Sequence, residues 1–147
     1  FLIGELDRFY IYKHPFPSPR MQFLHTVETF YEDSTIILSL EHLIPGLTKV
    51  DQYYNITMHA YAEAFLEIYK KDYPTPLEES WEGLEEINHF KRNDIQHSMG
   101  YAIRDVRVVH INYFFTYPEK YKTVFPEYFE KWCVIFNQNP ITGEIFR

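Results

Sequence analysis

Thirteen tyrosines and thirteen phenylalanines in 147 residues, against 5 glycines, constrain this chain more than any motif it carries. That much ring surface can offset the conformational entropy of folding, so the chain is not disordered. Scarce glycine argues against a turn-rich all-β sandwich and for helices. A chain of this length forms one domain, which buries roughly 70% of the surface its unfolded form exposes.

The formal net charge is −7 and the sequence pI is near 5.5. A generic nucleic-acid coat needs a basic surface, because phosphate contacts supply nearly all sequence-independent affinity. Contact with a nucleic acid must then be local. Cys133 is the single cysteine, which excludes an intramolecular disulfide and a thiolate zinc site. Within the apolar run Trp132–Phe136 it reads as a small buried hydrophobe. No apolar run approaches a membrane span and no signal peptide is evident, so the expectation is a cytoplasmic chain that does not meet the membrane.

Along the chain, residues 1–13 mix large apolar groups without a period. Pro15, Pro17 and Pro19 then alternate, which forbids helix and reads as an extended, polyproline-like arm. From Met21 to Ile44 the spacing of Phe23, Val27, Phe30 and Tyr31 suits one or two helices, although Ser34–Leu38 could equally be a strand. Pro45-Gly46 marks the end of that stretch. A clearer helix, capped by Thr48 or Asp51, carries Tyr54, Met58, Tyr61, Ala62, Phe65 and Tyr69. Thr75-Pro76-Leu77-Glu78 is a helix-start signal, followed by the stripe Leu77, Trp81, Leu84 and Ile87. Another helix is expected from Asp94 to about Phe115, and a last one from Pro126 to Asn139. The expected architecture is all-α: an up-and-down bundle of four to five helices over residues 21–147, preceded by the Pro-rich N-terminal segment 1–20.

One short segment could carry chemistry. Arg92-Asn93-Asp94-Ile95-Gln96-His97 has the form R-N-x-x-x-H, with Asn directly after Arg at an expected helix start. The Arg-to-His spacing recurs at Arg8–His14, Arg20–His25 and Arg104–His110, so spacing alone selects nothing. With its Asn, the Arg92–His97 segment resembles the signature of HEPN ribonuclease domains: an Arg, four to six residues, then a His, often with a polar residue after the Arg. The resemblance covers those six residues closely and the helical layout of 21–137 loosely. It implies a dimeric helical bundle of toxin–antitoxin or defence systems, in which two motifs form one site that cuts RNA without a metal or other cofactor. The Tyr that some HEPN toxins place two residues after the His is absent, because position 99 is Met.

The residues support such chemistry independently. On one helix from Asp94, Ile95, Met99, Ala102, Ile103, Val106, Val109, His110 and Tyr113 form a core face. His97 then lies on the outer face, with Tyr101 and Arg104 within about 40° and Val108 within about 20° of it. His97 can act as base or acid, Arg92 can clamp a phosphate as a planar fork, and Asn93 can orient either group. Tyr101, Arg104 and Lys91 would help bind the substrate.

Other groups read as structural. Glu86 and His89 have the spacing of a di-metal ligand pair but lack a second pair. His59 and Glu63, four apart, read as an exposed pair, and His110 as a hydrogen-bonded core histidine. The alternative function is a non-catalytic helical protein, such as an antitoxin or immunity protein, that binds a basic partner by charge complementarity.

Overall fold

The computed structural model describes residues 6–76 and 80–146. Among them the fold is mixed α/β, not the expected all-α bundle: seven helices, a three-stranded mixed sheet and a small β-hairpin. The strands are β1 (Arg8–Tyr12), β2 (Val27–Phe30) and β3 (Thr35–Ser39), in spatial order β1-β3-β2. β1 runs parallel to β3, with Tyr10 opposite Ile37, and β2 runs antiparallel, with Val27 opposite Leu38.

The segment expected to be helical from Met21 thus becomes two strands. Val27, Thr29, Thr35, Ile36 and Ile37 are β-branched, stiff in a helix and at ease on a pleated surface. Their preference wins because residues 8–12 supply a partner strand, which no local periodicity reveals. The proline run does not continue as a free arm. Phe16 is buried and exchanges two backbone hydrogen bonds with His25, at 3.0 and 3.1 Å.

α1 (Leu40–Thr48) continues directly from β3 and contains Pro45 rather than ending at it. α2 (Ile56–Ile68) is capped by Asn55, not by Thr48 or Asp51: the Asn55 side-chain oxygen accepts from the Met58 N–H at 3.0 Å. α3 (Ser80–Asn88) buries Trp81, Leu84 and Ile87; Leu77 and Glu78 of the expected start signal lie outside the described residues. α4 (Arg92–Met99), α5 (Val106–Thr116), α6 (Pro118–Val124) and α7 (Pro126–Phe136) follow, and β4 (Gln138–Asn139) pairs with β5 (Glu144–Ile145).

α2 and α5 pack side by side at the centre. Ala60, Ala62 and Ala64 on α2 are buried, and small side chains allow that close approach. Every residue of α5 from Val108 to Phe114 is buried, as suits a helix surrounded by others. Phe114, Phe129, Trp132 and Phe136 form one aromatic cluster, its ring centroids 5.3–5.9 Å apart.

His110 sits in this core, as the sequence reading expected. The Trp132 indole N–H donates to the Tyr121 hydroxyl (3.0 Å), which donates to His110 Nδ1 (2.8 Å), while His110 Nε2 meets Ser80 Oγ at 3.1 Å. The ring is neutral in this network, and burial pulls its pKa down to about 3. The unfolded chain takes up a proton near pH 6.5 and the folded chain does not. Stability from this group is therefore complete above pH 6.5 and falls at up to about 1.4 kcal/mol per pH unit below it. Urea unfolding is expected to show a loss of ~2 kcal/mol from this group between pH 7 and pH 5. His110→Gln should flatten that dependence; equal slopes in the two proteins would contradict it.

Candidate functional site

The single helix expected from Asp94 to Phe115 is broken at Gly100, and the break decides where the candidate residues go. Gly100 takes a left-handed conformation (φ 92°) that ends α4. Thr26 covers the exposed carbonyls there, its N–H donating to Met99 O (2.9 Å) and its hydroxyl to Ser98 O (3.0 Å). Residues 100–105 then form a loop, and Asp105 starts α5 by accepting from the Arg107 N–H at 3.0 Å. The one-helix geometry that grouped His97, Tyr101 and Arg104 is lost, and Val108, expected outside, is buried.

Lys91, Asn93 and His97 are exposed on and just before α4. Asp94 serves the helix start, its carboxylate accepting from the Lys91 N–H at 2.9 Å. Arg92 lies over the Trp81 ring at 5.4 Å, and its Nη2 donates to the Ile103 carbonyl at 3.1 Å. Gln96 Oε1 accepts from the Ile103 N–H at 2.9 Å. Arg92 and Gln96 together pin the loop that carries Tyr101 and Arg104.

Tyr101 and Arg104 line a half-open cavity of about 410 Å³ bordered by β2, α2 and residues 101–108. This lies within the usual size range of small-molecule sites. His59 and Glu63, four apart and so on one face of α2, project toward it. They are not the exposed pair that spacing suggested. His59 is buried, and its Nε2 reaches Glu63 Oε1 at 2.9 Å. Tyr54, fully buried, contacts His59 Nδ1 at 2.8 Å through its hydroxyl. The Tyr101 hydroxyl donates to the same Glu63 oxygen at 3.3 Å. Burial, reinforced by the Glu63 charge, raises the Tyr101 pKa well above the usual value, and the same two causes raise that of Tyr31. Both phenols therefore remain hydrogen-bond donors at neutral pH.

The opposite wall comes from β2. Glu28 is buried, and its two oxygens accept from Ser18 Oγ (3.0 Å) and from His25 Nε2 (2.9 Å). Beside it, Thr29 is 6% exposed, and its hydroxyl has no hydrogen-bond partner. A buried hydroxyl left unpaired costs about 1–3 kcal/mol, so its presence in a cavity wall calls for an explanation.

Sequence reasoning found Tyr101 and Arg104 for a different reason, and missed Glu63, Thr29 and Tyr31 as one site. The His59–Glu63 spacing was the available signal; that Tyr54 and β2 close over it was not. No family model, curated protein or solved structure matches the chain in comparisons with known proteins. The described residues include no group of three or more His, Cys, Asp or Glu side chains able to hold a metal ion. They also include no helix long and apolar enough to cross a membrane.

Proposed function

We propose that this chain is a small-molecule binding domain whose site is the cavity between β2, α2 and the 101–108 segment. The Glu63 carboxylate, which lines the cavity and is held there by His59 and Tyr101, carries this reading. Thr29→Val is expected to stabilise the ligand-free protein by ~1 kcal/mol in urea unfolding, because it removes an unsatisfied group at nearly constant shape. A destabilised variant would mean that the hydroxyl already has a partner.

A second reading keeps Arg92, Asn93 and His97 as a metal-independent ribonuclease site, with RNA as substrate and a homodimer or cognate protein as partner. Its support is the solvent-open imidazole of His97, with Asn93 exposed on the same short helix. Arg92 is its weak member, because its guanidinium is already engaged by Ile103 and Trp81. Generic RNA incubated with the protein in EDTA separates the two readings. Cleavage that leaves 2′,3′-cyclic phosphate ends and disappears in folded His97→Ala favours the nuclease, and intact RNA excludes it. A partner of either kind would meet β1, whose five residues are all exposed, Phe9, Tyr10, Ile11 and Tyr12 among them.

A further inference from the structure

We infer that the ligand of this cavity is a small organic cation, an ammonium group on a short apolar stem. This rests on the cavity being a ligand site and adds the charge that the site selects.

The argument is a balance of charges around the wall. Glu28 is matched internally, with His25 and Ser18 on its two oxygens. Asp105 is matched by Arg107, whose Nη2 reaches it at 2.7 Å and whose Nε reaches both carboxylate oxygens at 3.0 Å. Glu67 meets Lys70 at 3.2 Å in an exposed pair.

Glu63 has the same kinds of partner as Glu28, a histidine ring and a hydroxyl, but it stands open to the cavity where Glu28 is 4% exposed. The Glu63 side chain is 25% exposed, and its donors are the Tyr101 hydroxyl and the His59 ring. The Tyr54 hydroxyl lies against His59 Nδ1, and the carboxylate lies against Nε2. Among the described residues, no Lys or Arg nitrogen is paired with Glu63. Glu63 thus faces the cavity with polar partners and without a matching lysine or arginine.

Two further features fit a cation. The walls include the Tyr31 and Tyr101 rings, whose faces attract ammonium groups. Met21, Leu66 and Val108 supply an apolar lining for a stem. An anion would find only Arg104 at the exposed rim, since Arg107 is held by Asp105.

The test uses three probes that share one stem and differ in charge: n-butylammonium, butanoate and butan-1-ol. Each is titrated at constant ionic strength into the ¹⁵N-labelled chain, with the amides of Thr29, Glu63, Tyr101 and Val108 as the readout. Butylammonium is expected to shift these amides saturably and to bind about tenfold more tightly than the other two. In folded Glu63→Gln its affinity should fall to that of butan-1-ol. If butanoate or butan-1-ol moves the same amides as tightly, the cavity is a ligand site but the cation assignment is wrong. If none of the three moves them, both are wrong. Should Glu63→Gln fail to fold, the ranking of the three probes on the native chain decides.

Discussion

Glu28→Ala is expected to destabilise the protein by about 3 kcal/mol, because it removes the carboxylate that holds two hydrogen bonds, one of them to a fully buried imidazole. His25 is fully buried and Glu28 is 4% exposed. The Phe23 carbonyl, which can only accept, faces His25 Nδ1 at 2.9 Å, so that nitrogen carries a hydrogen. The other nitrogen faces Glu28, and the pair is enclosed by Phe16, whose ring centroid lies 4.6 Å from the imidazole. Without the carboxylate, the buried imidazole edge loses its acceptor away from bulk water, and the half-buried Ser18 hydroxyl loses one too. Urea unfolding of wild type and variant measures the loss. Glu67→Ala, at a half-exposed ion pair, should stay within about 0.5 kcal/mol of wild type. The double variant His25→Leu with Glu28→Leu should lose less than the two single changes added together, since an apolar pair leaves nothing unpaired. A loss below about 1 kcal/mol in Glu28→Ala would show that water reaches the pair.

Gly100→Ala is expected to cost about 3 kcal/mol or more, from two separable causes. Its φ of 92° disfavours any side chain, which alone is worth about 1–2 kcal/mol. A Cβ there would also collide with the Leu24 carbonyl oxygen and lie 2.8 Å from His25 Cα. These are backbone atoms that cannot rotate aside. Gly143 separates the causes: its φ is 73°, but a Cβ would meet nothing within 4 Å. Gly143→Ala should therefore show the conformational cost without the collision. Equal losses at the two sites in thermal or urea unfolding would contradict the packing argument. Because Gly100 opens the loop bearing Tyr101 and Arg104, Gly100→Ala should also weaken butylammonium binding in whatever fraction remains folded.

Ring-rich composition with little glycine announced a single well-packed domain, and helical spacing marked α2, the buried stripe of α3, and α7. Those signals are local, because a helix satisfies its backbone within its own segment. His110 and Cys133 were legible as core residues for the same reason: each sits in a run whose neighbours are apolar, and both are buried.

The sheet was legible only as an alternative at Ser34–Leu38. β3 needs β1, more than twenty residues earlier, to complete its hydrogen bonds, and β1 shows no period of its own. The continuous helix from Asp94 was undone by a contact still more distant in sequence, where Leu24–Thr26 press on Gly100 and take the last carbonyls of α4. That break separated Tyr101 and Arg104 from His97 and turned them, through Arg92 and Gln96, toward Glu63. The amino-acid order by itself determined that α2, α3 and α7 could be helices and that His110 and Cys133 had to be hidden. Only the tertiary structure decided that a strand, a helix and a loop would bring Thr29 and Glu63 to the walls of one cavity, because strand pairing and cavity walls are made between residues far apart in the chain.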